Sequence, residues 1–169
     1  MTGQMKTPDY HPWSTFAAAQ QEALRIGDRR VGTDLLLLGL LRDHDIEETL
    51  HVSLASARAQ LAALDNAALA AVGLPEVVEV ATHVDKPIPV RPSVRSLMQP
   101  RIRLTPAAKA TMQEAARPMR RGKKITRQRL LLALLENKQP DPAAALLSAL
   151  NVDRLQVRAE LEAEGTDLE

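Results

Sequence analysis

Two pairs of similar segments set the hydrophobic pattern of this chain. The segment Leu36–Leu41 returns as Leu130–Leu135 at a spacing of 94 residues, and Leu50–Leu61 returns as Leu150–Leu161 at a spacing of 100 residues. Self-similarity at this scale indicates one supersecondary unit that is duplicated and packed against itself. Both leucine-rich segments are too apolar on all sides for surface helices, so we expect them at the centre of the core.

Helix-start signals give the order of the elements and predict four helices in each unit. Prolines, glycines and short polar residues separate the apolar stretches, and Gly27 and Gly73 are placed to end helices. The predicted starts in the first unit are Pro12, the N-cap Thr33, the region of Ile46, and Ser53, whose helix reaches about Leu64. Those in the second unit are Thr105 with Pro106, Thr126, Asp141 and Asp153.

The segment 74–103 differs from both units. It contains five prolines and a weak alternating pattern, which is typical of an extended linker with at most one short strand or helix. The predicted domain organisation is an N-terminal tail (1–11), a first repeat (12–73), a proline-containing linker (74–103), a second repeat (104–165) and a C-terminal tail (166–169).

Composition narrows the class of protein. Aromatic residues make up only 2% of the chain, while alanine and leucine dominate, which favours an all-α fold. Cysteine is absent, so disulfides and thiolate metal sites are excluded, and a reducing compartment is expected. No apolar run approaches the length of a membrane span, and the N-terminus has no apolar signal segment. We therefore expect a cytoplasmic monomer with no membrane contact.

Charge is strongly segregated along the chain, although the net charge is only +1. The segment 86–130 carries 13 basic residues and one acidic residue, whereas both flanking segments are acidic. Such an asymmetry steers an acidic partner or is neutralised internally by the acidic segments, and the sequence leaves both interpretations open. The densest basic cluster, predicted to contact an acidic protein surface, comprises Arg117, Arg120, Arg121, Lys123, Lys124, Arg127 and Arg129.

The sequence carries no pattern typical of catalysis. The four histidines are scattered without an i, i+4 partner, and no nucleophile motif is present. The acidic residues around Asp43 and Asp45 lack the spacing and the glycine of a calcium-binding loop. We therefore predict a protein that is not an enzyme and holds no metal or cofactor.

Three stretches resemble the repeat of the Clp ATPase N-terminal domain. That repeat has the pattern E-A-x-x-x-G-H-x-x-I-G-T-E-H-L-L-L-G-L-L, and residues 22–41 are E-A-L-R-I-G-D-R-R-V-G-T-D-L-L-L-L-G-L-L. Residues 104–109 are similar to the F-T-P-x-A-K opening of its second repeat, and residues 151–158 to its G-V-D-x-x-x-V-R ending. The resemblance covers most of 12–165. It implies two pseudo-symmetric four-helix repeats that dock substrates or adaptors for an unfoldase.

The positions at which this sequence differs from the family pattern limit the functions that the resemblance implies. No G-x-x-x-x-G-K-[ST] segment is present, so the phosphate-binding loop of the ATPase is missing. In the family, the G-T-E-H segment binds phosphorylated arginine. The resemblance therefore implies Thr33 and Asp34 as ligand-binding residues, although helix capping alone would also explain the pair. The equivalent positions in the second repeat, Arg127, Gln128 and Arg129, would repel a guanidinium.

These features predict a stand-alone, non-catalytic binding module. It would bind a protein partner (a Clp unfoldase component, an adaptor or a client) and act as adaptor, competitor or sink in Clp-dependent proteolysis. Phospho-arginine would bind at the first repeat only. The alternative is a regulatory protein that binds nucleic acid or another polyanion through 86–130, although that segment lacks the interleaved aromatics that stack on bases.

Overall fold

Helices account for nearly all of the regular structure. The computed structural model describes residues 12–74, 102–117 and 125–166. The helices there are α1 (Pro12–Ile26), α2 (Thr33–Leu40), α3 (His44–Leu50), α4 (Leu54–Ala71), α5 (Pro106–Ala116), α6 (Arg127–Glu136), α7 (Pro142–Ala149) and α8 (Arg154–Thr166). The all-α class is confirmed, and the described residues contain four helices on each side of the predicted linker.

One short parallel ladder accompanies the helices. Strand β1 (Arg30–Val31) pairs with strand β2 (Arg103–Leu104), so that Val31 lies opposite Leu104. The Thr105 amide extends the pairing by donating to the Val31 carbonyl at 2.9 Å. The end of the predicted linker therefore lies in β2, while most of that linker lies outside the described residues.

Polar side chains fix the helix starts as the sequence predicts, with one exception. Ser53, Thr105, Thr126 and Asp141 each accept a hydrogen bond from a backbone N–H in the first turn of their helix. The predicted N-cap Thr33 is wrong, because Gly32 is the N-cap of α2 and Thr33 is its first residue. Helix α4 continues past Leu64 without interruption to Ala71, and Gly73, with a left-handed backbone (φ 75°), follows its end as predicted.

The two leucine-rich helices lie at the centre of the molecule, as predicted. Helix α2 contacts α1, α4, α5, α6 and α7, so it is surrounded on nearly all sides. Its leucines are at most 1% exposed, and in α6 only Leu132 is more than slightly exposed among the five leucines. Buried side chains from both predicted repeats join in a single hydrophobic core. The segments on the two sides of the linker therefore share one core.

A close helix crossing forms one wall of the cleft described below. A Cβ atom on Gly39 of α2 would lie 2.6 Å from the Thr15 carbonyl oxygen of α1 and 3.0 Å from the Ala19 amide nitrogen. Both atoms belong to backbone that cannot move without shifting the helix. Only glycine permits this approach of α1 to α2.

Among the described helices, none is both long enough and apolar enough to cross a membrane.

Candidate binding site between the two units

Thr33 joins the first unit to the second. It is fully buried, and its hydroxyl donates to Asp141 Oδ1 at 2.9 Å while it accepts from the Ala143 amide at 3.2 Å. Asp141 is the N-cap of α7 and also accepts from the Ala143 and Ala144 amides. The Thr33 hydroxyl is thus committed to a contact between helix ends. A structural role in joining helix ends therefore accounts for this side chain, whereas its predicted role in ligand binding stays a prediction.

Arg127 makes the reciprocal contact from the second unit to the first. It is the first residue of α6, as Thr33 is the first residue of α2. Its guanidinium forms an ion pair with Asp43, the N-cap of α3, and lies 3.2 Å from Asp45 Oδ2. This basic residue is therefore paired with acidic side chains of the first segment, and its predicted contact with a partner stays a prediction.

Asp34 remains the candidate acid of the first unit. Burial raises the pKa of its carboxyl, and the charges of Asp65 and Asp28 act in the same direction, while backbone hydrogen bonds from Leu35 and from its own amide oppose them. Among the described residues, Asp34 forms no ion pair. A partly buried carboxylate without a cationic partner is suited to accept a cation from a ligand.

Replacing Asp34 by Asn is expected to raise the free energy of unfolding at neutral pH. Because the folded-state pKa is raised, ionising the carboxyl weakens the fold. The contribution of the protonated carboxyl to the stability of the fold is fully present below the ordinary pKa of 3.8. It is lost as the pH rises through the folded-state pKa. Urea denaturation at pH 7 and at successively lower pH should show the gain shrinking in acid. Asp153→Asn is the matched control, because asparagine caps a helix as well as aspartate.

Of the other predicted basic residues, the structure describes Arg117 and Arg129. Arg117 is 78% exposed at the end of α5 and pairs with Glu114 at 3.0 Å. Arg129 is half-buried in the first turn of α6. Four members of the cluster lie outside the described residues: Arg120, Arg121, Lys123 and Lys124.

A half-open cavity of about 260 Å³ lies beside the Arg127–Asp43 contact. Its lining residues come from α1, from the end of α2 and the residues that follow it, and from the first residue of α6. Two arginines, one aspartate and two hydroxyl-bearing residues thus line it together with three small or apolar residues. The lining residues are Ser14, Thr15, Ala18, Gly39, Leu40, Arg42, Asp43 and Arg127.

A buried carboxylate behind this cavity holds one of the two guanidiniums. The Glu22 side chain is fully buried and accepts hydrogen bonds from Arg25, Arg42 and Arg58 at 3.1, 3.1 and 2.6–3.0 Å. Burial alone would raise the pKa of Glu22, but the hydrogen bonds and charges of the arginines, led by Arg58, lower it overall. We call these four residues the Glu22 cluster.

The sequence analysis did not predict the Glu22 cluster. Glu22 and Arg58 are 36 positions apart, and their pairing depends on where the fold places α4 relative to α1. The available signal was local: Glu22 and Arg25 share one helix face at a spacing of three. A glutamate on the apolar face of a helix should have suggested a buried ion pair.

Comparison with known proteins assigns no family to this chain. No protein-family model matches the chain, and a search of curated proteins finds no similar sequence. The functional interpretation therefore depends on the residues and geometry of this chain.

Proposed function

We propose that this chain is a two-repeat binding module of the Clp N-terminal domain type. It would bind a protein or peptide and act in Clp-dependent proteolysis as an adaptor, competitor or sink. The observation that carries this proposal is the reciprocal junction, in which the first residue of each central helix bonds to the N-cap aspartate of a helix in the other unit. Reciprocal contacts are what a pseudo-twofold pair of repeats would make.

Local backbone and burial patterns support the same arrangement. His51 and Asn151, which follow the third helix of each unit, both have left-handed backbones with φ of 52° and 55°. Thr15 and Ala19 are buried on α1, and Thr111 with Ala115 are buried on α5 at the same spacing. Left-handed residues and buried threonine–alanine pairs at equivalent positions support two copies of one unit.

The site chemistry favours binding over catalysis. Within the described residues, no group of three or more His, Asp or Glu side chains is placed to share a metal ion. Most charged groups of the cleft are held in ion pairs, and the sequence has no phosphate-binding loop. A cavity between two packed repeats is a common location for a peptide or small-ligand site.

A reconstituted degradation assay tests the proposal. A labelled client, a Clp unfoldase and its peptidase are mixed with increasing amounts of the purified chain, and degradation is followed by loss of intact client. An adaptor accelerates degradation, whereas a competitor or sink slows it. An unchanged rate at excess chain, with no co-purification of unfoldase or client, would contradict the proposal.

Phospho-arginine binding, if it is part of this function, is expected at one weak site in the first unit. Asp34→Ala should abolish calorimetric binding of a phospho-arginine peptide, because a guanidinium requires the carboxylate. Gln128→Ala should leave binding unchanged, since Gln128 lies between Arg127 and Arg129. Two equivalent sites in the calorimetric isotherm would contradict the expected loss of the second site.

The polyanion-binding alternative stays a prediction. Of the basic cluster, the described Arg117 and Arg127 are paired with acidic side chains of the chain itself. A steep fall of affinity for nucleic acid with salt would favour this alternative.

A further inference from the structure

The short parallel ladder carries one arginine on each strand at the same register. Arg30 of β1 and Arg103 of β2 are direct partners in the pairing. Partners on neighbouring strands lie about 4.8 Å apart, and their side chains leave the ladder on the same face. Both arginines are exposed, whereas Val31 and Leu104, which follow them, pack against the hydrophobic core. The outer face of the ladder therefore presents two arginine side chains next to each other.

In the described part of the chain, neither of these arginines has an acidic partner. No ion pair involves Arg30 or Arg103 there. Asp28 is the acid closest to Arg30 in sequence, and its Oδ1 accepts the backbone amide of Arg30 at 3.0 Å. Like charges directly opposite each other in a ladder lower its stability, so the fold gains nothing from this pair.

The other arginines show that an acidic partner is the usual arrangement in this chain. Six described arginines each contact at least one carboxylate: Arg25, Arg42, Arg58, Arg117, Arg127 and Arg158. The two ladder arginines are thus free to bind an anion from outside the chain.

The backbone on both sides of the ladder is held in place. The Thr105 amide donates to the Val31 carbonyl at 2.9 Å, and the side chain of Val31 is fully buried. Gln20 of α1 donates to the Ile102 carbonyl at 3.4 Å. The fold therefore fixes the spacing of the two arginines before any ligand binds, which lowers the entropic cost of binding.

Two neighbouring guanidiniums match a phosphate group better than a carboxylate. A phosphorylated side chain carries a charge of about −1.5 to −2 at pH 7 and three acceptor oxygens, whereas a carboxylate carries one charge and two oxygens. Each guanidinium has a fork of N–H donors that suits phosphate oxygens. Arg29 is also exposed, so that three arginines and Asp28 give this segment pair a charge of +2.

A nucleic acid is the less suitable source of the phosphate. Each phosphodiester carries a single negative charge, which leaves part of the arginine charge unmatched. Residues 27–31 and 102–106 contain no aromatic side chain that could stack on a base. A phosphomonoester on a protein fits the charge and the surroundings of the ladder better.

We propose that Arg30 and Arg103 together bind the phosphate group of a phosphorylated side chain on a protein partner. Each side of the predicted linker supplies one of the two arginines, so the site exists only when β1 and β2 are paired. The inference goes beyond the proposed function, because it uses neither Asp34 nor a role in Clp-dependent proteolysis.

Nuclear magnetic resonance of the full, isotope-labelled chain at low ionic strength tests the assignment. The probes are inorganic phosphate and a Gly-rich peptide, acetylated and amidated at its ends, that contains one phosphoserine, one serine or one glutamate. Phosphate and the phosphoserine peptide should shift the amide signals around residues 30 and 103. The glutamate peptide should bind about tenfold more weakly, and the serine peptide should not bind.

Four variants with defined charge changes should alter the affinity for the phosphoserine peptide differently. Arg30→Gln and Arg103→Gln should each weaken binding about tenfold, because a charge-assisted contact is lost. Asp28→Asn should strengthen it, since it removes a nearby negative charge while the asparagine oxygen can still accept the Arg30 amide. Lys138→Gln is the matched control, because it removes one exposed charge from the connection between α6 and α7.

A charge reversal separates loss of binding from loss of folding. Arg103→Glu places a carboxylate opposite Arg30, so it should abolish phosphate binding while it raises the melting temperature. A melting temperature below that of the wild type would contradict the opposed arginines on which the site depends.

The following outcomes would also overturn the assignment. These are equal binding of the glutamate peptide, equal loss in Arg30→Gln and Lys138→Gln, weaker binding by Asp28→Asn, or signal shifts centred away from the ladder. Binding of inorganic phosphate without binding of the phosphoserine peptide would make the ladder a free-phosphate site instead. Tighter binding of a single-stranded oligonucleotide than of the phosphoserine peptide would make it a nucleic-acid contact.

The two proposals fail separately. An unchanged rate in the degradation assay, without co-purification of unfoldase or client, contradicts the proposed function and leaves the phosphate site standing. Absence of phosphate and phosphopeptide binding contradicts the site at the ladder alone.

Discussion

Replacing Leu37 or Leu131 by alanine is expected to lower the free energy of unfolding by about 2–5 kcal/mol, among the largest effects of any single change in this chain. Both side chains have no exposed surface, and they lie in α2 and α6, the helices that contact elements of both units. The loss combines removed apolar contacts with a cavity that the rigid surroundings fill only in part. Thermal or urea denaturation measures it.

The matched control is Leu155→Ala. Leu155 lies on α8 and is 81% exposed, so its truncation removes little buried surface. A chain of this size should lose about 2–4 °C in melting temperature per kcal/mol, which separates the core variants clearly from the control. Equal melting temperatures for Leu37→Ala, Leu131→Ala and Leu155→Ala would show that the two central helices are not packed as described.

Replacing Glu22 by Gln is expected to cost about 3 kcal/mol, because three guanidiniums lose their shared counter-charge. The change also alters the pH dependence of stability. The pKa of Glu22 is lowered in the folded state, so its contribution is present above its ordinary pKa of 4.5 and is lost as the pH falls through the folded-state value. Urea denaturation between neutral and acidic pH should show a smaller loss of stability in acid for the variant than for the wild type.

The control for this experiment is Glu114→Gln. Glu114 also pairs with an arginine, but both side chains of that pair are largely exposed, so water replaces the interaction at a cost below about 1 kcal/mol. If the two glutamine variants lost the same stability, the Glu22 cluster would be no more than a solvated surface pair. If Glu22→Gln and the wild type lost the same free energy of unfolding as the pH falls, the lowered pKa of Glu22 would be contradicted.

Helix caps and the burial of the central leucines were predictable, because residues close in sequence determine both. The caps Ser53, Thr105 and Asp141 were predictable because a short polar side chain bonds an amide two or three residues later in the same turn. The burial of Leu37 and Leu131 was predictable because a helix that is apolar on every side has no stable position except the core. The repeated segments also indicated two similar four-helix units.

The candidate site could be predicted only in part. Asp34 was identified because the segment around it resembles a family motif. Burial of its carboxyl, which raises the pKa, could not be read from that resemblance. Sequence spacing does not reveal that Asp141, 108 positions from Thr33, accepts a hydrogen bond from the Thr33 hydroxyl. Nor does it reveal that Arg127, which we predicted to contact a partner, pairs with Asp43 of the same chain.

By itself the sequence therefore determined the helical class and the central place of the two leucine-rich helices, because periodicity, capping and burial are properties of neighbouring residues. Only the tertiary structure decided which charges meet. The Glu22 cluster, the reciprocal junction and the cavity beside the Arg127–Asp43 contact each join residues that are far apart in sequence. Such contacts depend on crossing geometry, as at Gly39, where the absence of a side chain lets α1 approach α2 and shapes the floor of the cavity.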